Sequence, residues 1–260
     1  MNDRTEAILE VRHLTKRYGG LTAVDDVSFA VRRGSITAII GPNGAGKSTC
    51  FNLIGGHVRP SAGTLHFEGA DVTGMPEYAI ARLGIARTFQ STALFRTMSV
   101  LDNAIVGARK HVRATLLDAL LRTPRHGKSE REATERAREA LAFVGLDRSA
   151  ALPAAALSQE AQRRLAIAIA LAGEPRLLLL DEPVAGVSHE EIAEHVALIR
   201  RIAASGRTVC LVEHKMQVVM GLADTIVVLQ QGRKIAEGPP AAIASDPLVI
   251  DAYLGAARVA

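Results

Sequence analysis

Residues 41–49 read Gly41-Pro42-Asn43-Gly44-Ala45-Gly46-Lys47-Ser48-Thr49 and fit the pattern G-x-x-x-x-G-K-[ST]. The apolar run Ser35–Ile40 before them predicts a buried strand, and Lys47–Ile54 has the pattern of a helix. Glycines let the backbone curl so that several N–H groups point at one anion, and the helix start adds its positive dipole end. The segment therefore predicts a phosphate-binding loop in which Lys47 contacts the β- and γ-phosphates and the Ser48 hydroxyl ligates Mg²⁺.

A second segment supplies the carboxylates of a nucleotide site. The apolar run Leu177–Leu180 predicts a strand, and Asp181-Glu182-Pro183 follows it. Open parallel sheets bind ligands at the carboxyl ends of their strands. We therefore expect Asp181 to hold Mg²⁺ through water and Glu182 to orient or deprotonate an attacking water. A dinucleotide-binding fold is disfavoured, because no G-x-G-x-x-G opens a helix in the sequence.

Apolar runs alternate with helical patterns along the chain, which predicts an α/β fold with a mainly parallel sheet. Thr208–Val212 predicts another strand buried on both faces. Two further short strands, Ile226–Leu229 and Lys234–Ala236, flank the turn Gln231-Gly232. Antiparallel strands are predicted near the amino terminus at Ile8–Val11, Val27–Val31 and Thr64–Phe67.

The predicted organisation is a single domain with a helical insert. Residues 1–90 and 160–238 are expected to form the nucleotide-binding core. Residues 91–159 have no strand pattern, and Glu130–Val144 shows strong helical periodicity with charges on one side, so this part is predicted to be an inserted α-helical subdomain. Residues 239–260 are expected to form a helical tail.

Composition narrows the class of protein. Of the 260 residues, 48% are hydrophobic and 22% are charged, which is typical of a globular protein. No apolar run comes near the roughly 18 residues of a membrane-spanning helix, and the amino terminus has no apolar signal-peptide centre. We therefore expect a cytosolic location. A net charge of +4 and few aromatic residues argue against a nucleic-acid partner. Cys50 and Cys210 lie far apart in apolar runs, which favours buried, reduced thiols.

In the order of its motifs the chain resembles the ATP-binding cassette (ABC) family over nearly its whole length. Besides the two segments above, the matching residues are Tyr18 in Lys16-Arg-Tyr-Gly-Gly, Gln90 in Arg87-Thr-Phe-Gln, and His214 in Val212-Glu-His. The resemblance implies ATP and Mg²⁺ as cofactors. It further implies that Tyr18 stacks on adenine, that Gln90 contacts Mg²⁺, and that His214 contacts the γ-phosphate and the attacking water.

Within the family the chain is similar to the larger ATP-binding subunit of branched-chain amino acid transporters. This similarity is carried by Ile85–Gln90, Leu94–Val100, the loop around Thr123-Pro-Arg125, Val219–Asp224 and Ala252–Gly255. It implies an ATPase at the cytoplasmic face of the membrane, beneath two membrane-spanning permease subunits and paired with a second ATP-binding subunit. A separate substrate-binding protein would deliver the transported solute. Urea, amides and other small solutes are the alternative transport substrates. A soluble ABC protein of translation or DNA repair is the rival class, but such proteins usually carry tandem cassettes or long inserted arms.

The signature sequence departs from the family's pattern, Leu-Ser-Gly-Gly-Gln, which completes the ATP site of the partner subunit. Here it is Leu157-Ser158-Gln159-Glu160-Ala161, so Ser158 is the retained contact to the nucleotide. If the Glu160 carboxylate lay about 5 Å from a phosphate charge, the two charges would repel each other by about 3 kcal/mol in an effective dielectric of about 20. Either this subunit binds ATP but completes its partner's site poorly, as the weak member of a heterodimer, or Glu160 turns into solvent and the site works.

Two further positions depart from the pattern. Ser188 stands where the family usually has Asp or Asn, and with Glu191 it predicts a capping box at a helix start. Lys215 follows His214 in place of an acid that is common in the subfamily.

Overall fold

The computed structural model describes residues 7–88, 94–109, 124–186 and 189–257. Contacts divide the chain into two compact units, one formed by Met1–Ile85 with Arg176–Ala260 and the other by Ala86–Pro175. The second unit is larger than the expected insert 91–159, because the helix that begins after Ser158 packs with the helices of that unit.

Within the described residues the strands form two sheets, as the alternating apolar runs predict. The strands are β1 (Ala7–Tyr18), β2 (Leu21–Arg32), β3 (Ile36–Ile40), β4 (Ala62–Phe67), β5 (Ala70–Asp71), β6 (Ile85–Arg87), β7 (Leu177–Asp181), β8 (Thr208–Val212), β9 (Thr225–Gln230) and β10 (Arg233–Gly238). One sheet has the order β2-β1-β4-β5 and is antiparallel; the other has the order β10-β9-β3-β8-β7-β6. Neighbours among β9, β3, β8 and β7 are parallel, whereas β10 is antiparallel to β9. The predicted α/β class with an antiparallel addition is confirmed.

Helices connect these strands and build the second unit. They are α1 (Lys47–Ile54), α2 (Glu77–Leu83), α3 (Val100–Ala108), α4 (Pro124–Val144), α5 (Gln159–Ala172), α6 (His189–Ala204), α7 (Met216–Leu222), α8 (Pro240–Ala244) and α9 (Pro247–Ala257). The last two lie within residues 239–260, the segment that the sequence predicts to be a helical tail. Among the helices of the described ranges, we find none with the length and apolar character needed to span a bilayer.

The core of the first unit lies on the parallel sheet. Every residue of β3 and β8 is buried, and so are the four leucines of β7, as expected for strands without polar alternation. Cys50 and Cys210 are buried free thiols, which confirms the sequence expectation. Burial raises the pKa of Cys50 to about 12 and also raises that of Cys210, so both thiols stay protonated and unreactive at neutral pH.

The second unit is built on the packing of α3, α4 and α5. The Ser99 hydroxyl caps α3 by accepting from the Asp102 N–H at 3.0 Å. Helices α3 and α5 approach closely at Gly107, where a Cβ atom would lie 1.9 Å from the carbonyl oxygen of Ile169. Glycine at this position is what allows the two helices to pack at that distance.

Candidate nucleotide site

The glycine-rich loop joins the end of β3 to the start of α1, as its motif predicts. Gly46 is the N-cap of α1 with a left-handed φ of 100°, and a Cβ atom there would lie 2.5 Å from the Ala23 carbonyl oxygen. Gly41, with φ of 150°, has even less room, because a Cβ atom would lie 2.0 Å from the Leu229 carbonyl oxygen. The backbone between β3 and α1 therefore requires glycine at both ends of the loop.

Lys47 is folded back over this loop. Its Nζ donates to the carbonyl oxygens of Gly41 at 2.7 Å and Pro42 at 2.9 Å, and the residue is only 5% exposed. Burial lowers the pKa of Lys47, and the negative charge of Glu182 opposes that shift. A desolvated cation at the start of a helix is a strong ligand for phosphate oxygens.

An open cleft of about 520 Å³ lies over the loop, within the first unit. It is lined by Leu21, Thr22, Ala23, Asn43, Gly44, Ala45, Gly46, Lys47, Ser48, Thr49, Glu182, His214 and Gln231. Glu182 directly follows β7, and His214 lies two residues beyond β8. Since β3, β7 and β8 are parallel, their carboxyl ends meet at one edge of the sheet and bring these side chains to the loop.

Glu182 and His214 face each other in this cleft, with His214 Nε2 2.7 Å from Glu182 Oε1. The backbone of Glu182 is left-handed at φ 49°, and its N–H donates to the Val212 carbonyl at 3.0 Å. A non-glycine residue in this conformation is strained and persists only where its surroundings hold it. The strained backbone is thus that of the residue whose carboxylate is predicted to act on water.

Ser48 and Asp181 are the described residues that suit a magnesium ion. Ser48 lines the cleft, and Asp181 is the half-buried last residue of β7, beside Glu182. Hydroxyl and carboxylate oxygens are ligands that Mg²⁺ prefers, together with water and phosphate. Within the described ranges, no group of three or more His, Cys, Asp or Glu residues converges as a cage for a metal. The residues fit an ion that takes further ligands from a bound phosphate.

Two other residues predicted to contact the nucleotide, Tyr18 and Ser158, are not among the described residues that line the cleft, and neither are Gly41, Pro42 and Asp181. Tyr18 ends β1 and is 45% exposed, with Lys16 Nζ 4.9 Å from its ring centroid; Leu21, at the start of the next strand, lines the cleft. Gln90 lies outside the described residues, as does Ser188 with its predicted capping role. Ser158 belongs to the second unit, where its hydroxyl caps α5 by accepting from the Ala161 N–H at 3.2 Å.

Glu160 is held within its own helix. Its Oε1 accepts from Arg164 Nε, one helical turn further along α5, and its side chain is 15% exposed. Of the two alternatives for Glu160, the one in which its side chain turns into solvent is therefore not the arrangement in this structure. The ion pair offsets its charge while keeping the carboxylate near the start of α5.

Sequence reasoning missed the part played by Glu213, the residue between β8 and His214. It is 2% exposed, and its carboxylate accepts from the N–H groups of Val184, His214 and Lys215. Lys215 Nζ in turn donates to the Val184 carbonyl oxygen at 3.3 Å, which gives Lys215 a local structural role. The available signal was an acid immediately after a wholly apolar strand and before a candidate site histidine.

A glycine-rich loop and strand-end carboxylates meeting at one edge of a parallel sheet define a P-loop nucleotide-binding protein. The model of the family described as ABC transporter matches residues 24–185, and that of the branched-chain amino acid ATP-binding cassette transporter matches residues 233–259. The chain belongs to the ABC transporter family. The resemblance stated from its motifs is confirmed.

Characterised relatives match almost end to end. The chain is 43% identical over 251 residues to the high-affinity branched-chain amino acid transport ATP-binding protein BraF of Pseudomonas aeruginosa, covering 96% of this chain and 98% of the relative. It is 40% identical over 254 residues to LivG of Escherichia coli, covering 97% and 100%. The solved ADP conformation of MJ1267, an ATP-binding cassette of an ABC transporter, matches with a TM-score of 0.84 and 32% identity over 96% of this chain and all (100%) of that one.

Proposed function

We propose that this chain is the ATP-binding and ATP-hydrolysing subunit of a membrane importer for branched-chain amino acids. One observation carries the proposal, namely the single cleft that unites the phosphate loop with the Glu182–His214 pair. The cargo rests on the relatives BraF and LivG, whose names state branched-chain amino acid transport, and on the family match at residues 233–259.

Binding of the triphosphate uses residues 41–49. The backbone N–H groups of the loop and the first turn of α1 surround the β-phosphate, and Lys47 exchanges its two carbonyl partners for β- and γ-phosphate oxygens. Tyr18 stacks on the adenine beside the start of β2. Ser158 reaches the γ-phosphate bound by a partner subunit, from the start of its helix.

Hydrolysis uses the Glu182 carboxylate as the acceptor of a proton from water. Water attacks the γ-phosphorus while Glu182 accepts its proton, and the bond from phosphorus to the bridging oxygen breaks to release ADP and phosphate. His214 lies within hydrogen-bonding distance of Glu182 through Nε2 and lines the cleft, which supports the proposal that it contacts the γ-phosphate. Bound Mg²⁺ would neutralise charge on the phosphates; Ser48 and Gln90 would contact it directly and Asp181 would hold it through water.

The proposed assembly contains two membrane-spanning permease subunits and a second ATP-binding subunit, at the cytoplasmic face of the membrane. A substrate-binding protein would act through the permeases. ATP binding closes the pair of ATP-binding subunits, and hydrolysis with release reopens it, because the two states differ in affinity for the nucleotide.

A second candidate is a catalytically weak partner within a heterodimer, which is favoured by Glu160. Its carboxylate stays near the start of α5 beside Arg164, where the family has a glycine. A negative charge there opposes a phosphate at the same helix start. In this case the chain binds ATP by itself but completes its partner's site poorly, and it cleaves its own ATP only when a different subunit supplies an intact signature.

Steady-state ATP hydrolysis separates the two candidates. We expect the purified chain to release phosphate from Mg-ATP, and a variant with Gln159→Gly, Glu160→Gly and Ala161→Gln to do so at a rate within about threefold. Lys128→Ala, which changes an exposed side chain of α4, controls for general damage to the protein. If only the variant with the restored signature hydrolyses ATP, the chain is the catalytically weak partner of a heterodimer. If neither protein hydrolyses ATP, alone or with its partner subunit, the proposed hydrolysis is wrong.

A further inference from the structure

Val184 lies two residues beyond Glu182 and has both of its backbone polar groups bound by one short segment. Its N–H donates to Glu213 Oε1 at 3.1 Å, and its carbonyl accepts from Lys215 Nζ at 3.3 Å. Val184 is fully buried, so these groups have no access to water, and leaving either unpaired would be costly. We call Glu213 and Lys215, with these two bonds, the Val184 clamp.

The same glutamate also shapes the segment that carries His214. Glu213 Oε2 accepts from the His214 N–H at 2.8 Å and from the Lys215 N–H at 3.1 Å. One carboxylate thus fixes the backbone on both sides of the Glu182–His214 contact. On the Glu182 side, the Glu182 N–H to Val212 carbonyl bond completes the connection between the two segments.

A carboxylate is the group that this geometry requires. The three N–H donors converge on its two oxygens, and an ionised carboxylate offers only acceptors. A glutamine of the same shape would place an amide NH₂ against at least one backbone N–H, which leaves two donors facing each other. The 2% exposure of Glu213 allows water no access to repair the mismatch.

We propose that Glu213, assisted by Lys215, is a positioning residue for ATP hydrolysis: the Val184 clamp holds the strained turn at Glu182 in register with His214. The left-handed backbone of Glu182 is a conformation that its surroundings must maintain. Without the clamp the turn can relax, and the carboxylate then leaves the place from which it accepts the proton of water. The phosphate loop is formed by other residues, so nucleotide affinity does not depend on the clamp. This inference rests on the proposed hydrolysis at Glu182.

The test compares Glu213→Gln with Asp224→Asn in the otherwise unchanged chain. Asp224 serves as the control, because its carboxylate also accepts a backbone N–H, that of Ile36 at 2.8 Å, but at the opposite end of β3 from the phosphate loop. We expect Glu213→Gln to lower kcat by about tenfold or more while KM and the Kd of Mg-ATP stay within about twofold. Asp224→Asn should keep kcat within about twofold of the wild-type value.

Turnover of Glu213→Gln within twofold of wild type, or an equal fall in Asp224→Asn, would overturn the clamp and leave the proposed function intact. An absence of turnover in the wild type, tested with its partner subunit, would overturn the proposed function and the clamp with it. If Glu213→Gln does not fold, Lys215→Met decides: it keeps the buried carboxylate and removes one clamp bond. A kcat about threefold lower at unchanged Kd supports the clamp, and an unchanged kcat contradicts it.

Discussion

Replacing Lys47 by alanine is expected to weaken Mg-ATP binding by at least about a hundredfold, because the change removes the buried cation of the phosphate loop. The Nζ atom lies within hydrogen-bonding distance of two loop carbonyls, and the residue is 5% exposed. Water therefore does not replace the interactions that the buried ammonium group makes. Isothermal titration calorimetry with Mg-ATP measures the effect.

The matched control for this prediction is Lys128→Ala, which removes an exposed lysine of α4 and should leave the affinity unchanged. A Lys47→Ala protein that binds Mg-ATP with nearly wild-type affinity would refute the assignment of residues 41–49 as the phosphate site.

Glu182→Gln is expected to lower steady-state turnover by about a thousandfold while the affinity for Mg-ATP stays within about threefold. The amide keeps the size of the side chain and an oxygen that can accept from His214 Nε2, but it cannot accept a proton from the attacking water. Phosphate release under saturating Mg-ATP and the Kd from calorimetry together separate catalysis from binding.

Glu77→Gln is the control for that substitution, because it makes the same change on an exposed side chain of α2. Robust hydrolysis by the Glu182→Gln protein would remove Glu182 from the catalytic role and move the proton transfer to another group.

The phosphate loop and the strand-end acids could be predicted because each depends on a local pattern. An apolar strand, a glycine-rich turn and a helix start are contiguous in residues 36–54, and the acids follow β7 directly. Parallel pairing of β3, β8 and β7 then brings Glu182 and His214 together without further information. The ion pair of Glu160 with Arg164 was also within reach, since the two residues are one helical turn apart.

Two features could not be predicted from sequence because they depend on contacts between distant segments. Glu213 meets Val184 across 29 positions, and only the geometry of both turns shows that its carboxylate faces three N–H donors. The extent of the second unit likewise depends on the close approach of α3 and α5 at Gly107, and a helical pattern in one segment does not show what that segment packs against.

In the proposed function, ATP hydrolysis in this cleft drives import of branched-chain amino acids. The most direct test of this proposal is the initial rate of labelled leucine uptake in cells that lack the gene and carry either the wild-type chain or Glu182→Gln. We predict that the wild-type chain restores uptake, that Glu182→Gln does not, and that uptake of urea and acetamide is unchanged. Normal leucine uptake without the gene, full restoration by Glu182→Gln, or restoration of urea or amide uptake alone would contradict the proposal.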